Sequence, residues 1–205
     1  MSLLKGLDAI AVTDHNACFN LPYADRCARE AGITFIPGIE VTTLEEVHIL
    51  VYFSSLQNAM NFGDILYGSL LDINNNEALF GEQLIIDEND IIIGRASKML
   101  AQASPFTIHT LEKKAKEFGG FLLPAHVNRT AYSVLETLGF IPDELDVTTL
   151  EVRRNIPLPS GLAKRYQLIS SSDAHDLGQI LERIEFLEVE DQSMNSVIKA
   201  LRPMV

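Results

Sequence analysis

The sequence predicts an α/β fold with a mainly parallel sheet. Apolar, β-rich runs alternate with stretches of helical periodicity along the 205 residues. Several of the apolar runs stop abruptly at a histidine or a carboxylate, and α/β folds collect functional groups at the carboxyl ends of strands. A chain of this length with 47% hydrophobic residues can bury a substantial core, which predicts one domain over residues 1–205.

The first strand is Ile10–Val12 in "LDAIAVTDHN", which leads through a polar turn into a helix over Pro22–Glu30. Ala24, Cys27, Ala28 and Ala31 recur there at helical spacing, and Gly32 closes the helix. Thr34–Ile36 begin a strand that ends at Gly38-Ile39-Glu40, and Val47–Phe53 form the next, with His48 inside it. The texture changes over roughly residues 57–103, read as an insertion into the domain. Within it "QLIIDENDIIIG" sets two apolar runs around Asp87-Glu88-Asn89-Asp90, a hairpin signature. Thr107 caps a helix through Phe118, stopped by Gly119-Gly120. "FLLPAHV", "VTTLEV", "YQLISSSDAH" and "IEFLEVE" resume the strand pattern, and Ser193 caps a last helix through Leu201.

Composition excludes several classes. No apolar run approaches the ~20 residues that span a bilayer, so no membrane association is expected. Met1–Gly6 lack the apolar centre of a secretory signal, and two cysteines, Cys18 and Cys27, are too few for a disulfide framework. A reduced, cytoplasmic setting is expected. The net charge of −12 repels nucleic-acid backbones, so long nucleic acid is not an expected partner and a small substrate is.

The chemistry lies at the strand ends. His15 closes "AVTDH", His126 closes "LLPAH" and His175 closes "ISSSDAH". Asp14 and Asp173 stand beside two of them, Glu40 ends "IPGIE", and His48 lies in the following strand. Each residue has a plain reading: a hydrogen-bonded strand histidine for His48, a turn acceptor for Asp14, a strand-end charge for Glu40. Their shared topological address argues otherwise. His15, Glu40, His48, His126, Asp173 and His175 should converge on one cavity, where imidazoles and carboxylates suit divalent zinc, manganese or iron. His109 starts a predicted amphipathic helix and is read as structural.

"GLDAIAVTDHN", "IPGIEVTTLEEVHIL", "LLPAHVNR" and "ISSSDAH", in this order, resemble successive motifs of the PHP (polymerase and histidinol phosphatase) superfamily. The similarity runs from Gly6 to about Glu188. It implies a distorted (β/α)7 barrel with up to three divalent metal ions, hydrolysing phosphate esters by metal-activated water. His15 and His175 would then serve one metal, with Asp14 as a supporting catalytic partner. Glu40 would bridge two metals, His48 and His126 would complete one of those sites, and Asp173 would bind another. Arg129 matches a phosphate-contacting arginine, a task its planar fork suits.

The chain departs from the family pattern in one respect: nothing ahead of Leu7 supplies the opening His-x-His strand and the aspartate that follows it. The barrel is therefore expected to be incomplete, lacking its first strand. It would expose edges beside "AIAVT" and "EFLEV", lose part of its activity, and either pair with a second copy through the gap or fill the gap with its own terminal segment. The function implied is hydrolysis of a nucleotide, a short oligonucleotide or a small phosphorylated metabolite. The alternative is a degenerate PHP barrel acting as a non-catalytic binding or regulatory module. A metal-dependent amidohydrolase fits less well, because "GLDAIAVTDHN" followed by "GIEVTT" resembles PHP more, and the absence of a strand-end lysine disfavours the carbamylated-lysine types.

Overall fold

The computed structural model describes residues 1–203. β1 (Ala9–Val12) leads into α1 (Leu21–Glu30), and Gly32, at φ +69°, turns the chain back into β2 (Thr34–Thr42). β3 (His48–Phe53) follows after residues 43–47, a link too short for a crossover, so β2 and β3 pair antiparallel. α2 (Leu56–Ser69) is capped by Ser55 and buries Ala59, Phe62, Gly63 and Leu66, spaced to form one stripe. The short α3 (Glu77–Phe80) precedes a hairpin of β4 (Leu84–Ile86) and β5 (Ile92–Arg95). The hairpin turn is closed by Asp87 Oδ1, which accepts the N–H groups of Asn89 and Ile91. α4 (Ile108–Glu117), with Thr107 as its cap, leads to β6 (Gly120–Pro124). α5 (Val134–Leu138), β7 (Thr149–Glu151), α6 (Leu162–Arg165), β8 (Gln167–Ile169) and α7 (Met194–Leu201) complete the chain, with Ser193 capping the last helix.

The architecture is a mixed α/β fold. The main sheet has the order β1-β2-β3-β6, with β1 parallel to β2 and the other neighbours antiparallel. β7 and β8 form a separate parallel pair, and β4–β5 stand apart. The sheet is mixed rather than mainly parallel, which corrects that expectation. No sheet closes among the described residues, so the hydrogen-bonded strands do not show a (β/α)7 barrel. The run "EFLEV" (Glu185–Val189) is not a strand; its apolar residues Phe186, Leu187 and Val189 are exposed and pair with no sheet.

Side chains alternate across the main sheet with the strand period of two. Ile39, Val41, Ile49, Val51, Phe53 and Leu122 point to the larger core, packed against α1, α2 and α4. Ile36, Leu50, Tyr52, Phe121 and Leu123 point to the other face, part of which is covered by Val197 and Leu201 of α7. The uncovered part of that second face carries the polar site. No described helix is long and apolar enough to cross a membrane.

Candidate metal centre

The segment after β1 is fixed against β2. His15 and Glu40 form an isolated parallel bridge in which Glu40 N–H donates to Asp14 O at 3.2 Å and Asn16 N–H donates to Glu40 O at 2.9 Å. Asn16 is fully buried at φ +49°; its amide donates to Leu100 O and Gln102 O, and its oxygen accepts Thr42 N–H. His15 is thereby held beside Glu40.

Glu40 is the hub. His48, the first residue of β3, places Nδ1 2.8 Å from Glu40 Oε1. His126, just past β6, places Nε2 3.4 Å from the same oxygen and 3.2 Å from His48 Nδ1. The ligating atoms of His15, Glu40 and His48 all lie within 4.8 Å of one another. Burial alone would raise the pKa of Glu40, but hydrogen bonds from His126 and His48 overcome it and hold the carboxyl well below the usual carboxylate range. Burial lowers the pKa of His15, opposed by the charge of Glu40, so its neutral, ligating form is favoured.

The donor set fits a divalent cation. Ligand separations of about 3 Å are what bonds of roughly 2.0–2.2 Å to a shared ion require. The Nδ1 atom of His15 is buried without a protein partner, an unsatisfied nitrogen that an ion or ordered water completes.

Asp173 and His175 line the same cavity, of about 770 Å³, as His15, Glu40 and Asp14, but from the loop after β8. They do not join the Glu40 group directly. Asp173 Oδ2 lies 3.2 Å from Arg129 Nη1 and 3.6 Å from Arg153 Nη1, so two guanidinium groups neutralise it. His175 is exposed, with its ring 6.3 Å from that of His15 and Nδ1 3.0 Å from the carbonyl of Asp173. Asp14 turns its Oδ2 to the amide of Asn20 at 2.9 Å; burial raises its pKa against the lowering effects of Asn20 and His15. The structure thus brings four of the predicted residues into one contact group and leaves Asp14, Asp173, His175 and Arg129 around it.

Three neighbours carry no mark in the sequence reading. Glu151, at the end of β7, accepts the N–H of His126 at 2.9 Å and the hydroxyl of Ser171. Burial pushes its carboxyl up to about 7, opposed by the bond from His126 and reinforced by Glu40 and Asp173. It is a strand-end carboxylate of the same kind as Glu40, so "VTTLEV" held the signal. Tyr132 stacks on His48 at 4.6 Å and 14°, and its carbonyl accepts His48 N–H at 2.8 Å. Arg153, also donating to Ser172 O, has no spacing that would single it out.

No family model matches the chain, and a search of curated proteins gives no match. Solved structures do match. The lesion-specific endonuclease Q of Pyrococcus furiosus superposes with a TM-score of 0.64 at 18% identity, covering 98% of this chain and 49% of that one. A protein from Bifidobacterium adolescentis described as a metal-dependent phosphoesterase gives 0.59 at 17% identity, covering 98% and 87%. A two-domain protein from Bacteroides vulgatus that contains a predicted PHP-like metal-dependent phosphoesterase gives 0.54 at 18% identity, covering 96% and 54%. The chain spans about half the length of the endonuclease Q it matches. The likeness is one of fold.

Proposed function

We propose that the chain carries a metal-dependent phosphoesterase site in which His15, Glu40, His48 and His126 hold divalent cations, with Asp173 and His175 contributing from the facing loop. The observation that carries this reading is the contact group itself, one buried carboxylate shared by two imidazoles at 2.8 and 3.4 Å with a third alongside. Bound cations would supply Lewis-acid activation of water and neutralise charge developing on the phosphoryl oxygens. Glu40 contributes the negative charge that lets cations sit among three imidazoles. Arg129 and Arg153, now on Asp173, stand where a phosphate could compete for their forks. Glu151 fixes the backbone of His126.

The substrate we propose is a nucleotide, a short oligonucleotide or a small phosphorylated metabolite. The likeness to endonuclease Q, solved with an abasic-lesion duplex, makes a DNA phosphodiester the second reading. The net charge of −12 weighs against an extended nucleic-acid surface. Residues 57–103, read as an insertion, place Phe80, Glu82, Leu84 and Ile85 on the cavity wall and would shape that choice.

Co²⁺ titration followed by visible absorption, then Mn²⁺- and Zn²⁺-dependent hydrolysis of bis(p-nitrophenyl) phosphate, nucleoside monophosphates and an abasic-site duplex, tests the reading. The chain should bind cobalt, and Glu40→Gln should weaken binding at least tenfold, a loss of about 1.4 kcal/mol or more. Absence of cation binding by the unaltered chain would overturn the proposal. Binding without hydrolysis of any phosphate ester would favour the non-catalytic module.

A further inference from the structure

Asn20 occupies the N-cap position of α1, where an asparagine ordinarily turns its side-chain oxygen onto a helix N–H. It makes no such bond. Its side chain is engaged elsewhere. The amide nitrogen donates to Asp14 Oδ2 at 2.9 Å and to Leu84 O at 3.2 Å, while the oxygen accepts Ile86 N–H at 3.0 Å. Toward β4 the side chain therefore behaves as a short piece of neighbouring strand, a donor to one residue's carbonyl and an acceptor for the N–H two residues on. Toward Asp14 it supplies that carboxylate's only side-chain hydrogen bond among the described residues.

Both ends of this arrangement matter to the cavity. Leu84 and Ile85 of β4, with Phe80 and Glu82 nearby, form one of its walls. Asp14 belongs to the stretch that is hydrogen-bonded to Glu40 on both sides. A matching device sits at the far end of the same excursion, where the buried amide of Asn16 donates to Leu100 O at 2.9 Å and Gln102 O at 2.8 Å. The two asparagines both follow Asp14 and His15 in the chain and tie down the two ends of the 84–102 stretch.

We propose that Asn20 is a positioning residue that locks the β4–β5 hairpin onto Asp14 and thereby couples the hairpin wall of the cavity to the cation-binding face. The lock is a property of the cation-free chain. Its coupling to cation affinity rests on the phosphoesterase reading above. Linkage makes the coupling reciprocal: a cation that steadies the Asp14–Glu40 segment slows opening of the hairpin, and a loosened hairpin weakens cation binding by the same factor.

The test is amide hydrogen exchange by NMR on the full chain, with and without Co²⁺-competing Zn²⁺, together with Co²⁺ titration of the unaltered protein, Asn20→Ala and Asn20→Asp. Asn20→Asp keeps the shape and remains a good helix cap, yet loses both donations and sets a second carboxylate against Asp14. Helix α1 should stay protected in this variant, whereas the Ile86 amide, whose acceptor Asn20→Ala removes, should exchange up to about tenfold faster in Asn20→Ala, the scale of one lost hydrogen bond. Cobalt affinity of Asn20→Ala should fall about fivefold or more, the lower end of usual coupling. Unchanged Ile86 exchange in Asn20→Ala would overturn the lock, whether or not cations bind. Faster exchange with unchanged cobalt affinity would overturn the coupling. Failure of the unaltered chain to bind cobalt would instead remove the phosphoesterase reading, and the exchange rates measured without metal would still decide the lock. Should Asn20→Asp fail to fold, Asn20→Ser, another helix-capping residue without the amide, carries the same measurement.

Discussion

Replacing Gly63 by alanine probes the contact that seats α2 on the site segment. Gly63 lies on the buried stripe of α2, and an added Cβ there would stand 2.1 Å from Cys18 Sγ, 2.8 Å from Cys18 Cβ and 3.3 Å from Ile39 Cδ1. In an exposed helix the change would stabilise by roughly 0.8–1 kcal/mol through propensity. Overpacking a filled core costs about 1–3 kcal/mol. Rotation of the thiol can relieve the sulfur overlap but not the Cβ overlap, which requires the backbone after His15 to shift, so the upper part of that range applies. The net loss should be about 2 kcal/mol, or a Tm lower by roughly 4–8 °C for a chain of this size. Thermal melts of Gly63→Ala, Cys18→Ala and the double variant make a cycle in which removing the sulfur reduces the penalty at Gly63 by about 1 kcal/mol. A Gly63→Ala protein more stable than the unaltered one, or a penalty indifferent to Cys18, would refute the packing argument.

Three further outcomes follow from the same contacts. Burial pushes the Cys18 thiol up to about 12 whereas Cys27 is exposed, so iodoacetamide at pH 8 should modify one cysteine in the folded chain and two after denaturation, as read by mass spectrometry. Hydrogen bonds from Ser193 and Ser196 hold the Asp191 carboxyl at about 2, below its unfolded value of about 3.9; their contribution is complete above that value and lost as pH falls through about 2, so α7 should fray over this window and Asp191→Asn should remove the pH dependence in NMR exchange. Arg129→Lys replaces a fork by a point charge and should raise KM about tenfold with little change in kcat in metal-loaded protein; an equal fall in kcat would place Arg129 in the chemical step rather than in binding.

The elements with local chemical signals were legible. Thr107 and Ser193 each accept the N–H three residues on, as their positions before helical patterns predict, and Asp87 organises the hairpin turn. Strand direction was misread although the sequence contained the clue. Residues 43–47 cannot carry a crossover, so β3 must reverse on β2, and His48 reaches Glu40 because of that reversal. The helix α2 escaped notice because its stripe includes Ala59 and Gly63, small residues that serve close approach and contribute little apolar contrast. "EFLEV" has strand composition, but no sheet edge among the described residues receives it, and propensity without a partner makes no strand.

The site differs from the scaffold in a respect that no periodicity could disclose. Of the six non-glycine residues with positive φ among the described residues, four belong to it: Asn16 at +49°, His126 at +31°, Tyr132 at +55° and Asp173 at +46°. Such conformations cost about 1–3 kcal/mol each and persist only where surrounding contacts impose them. Here each has an identifiable restraint: the carbonyls of Leu100 and Gln102 for Asn16, Glu151 for the backbone of His126, the N–H of His48 for Tyr132, and the paired guanidinium groups for Asp173. His126 and Asp173 are themselves candidate ligands, and Asn16 and Tyr132 adjoin two others. His126, which reaches Glu40, and Asp173 across the cavity are therefore delivered by a backbone that would relax elsewhere if its restraints were cut. Glu151, Asn16 and the arginines thus carry as much of the site's geometry as the histidines it displays.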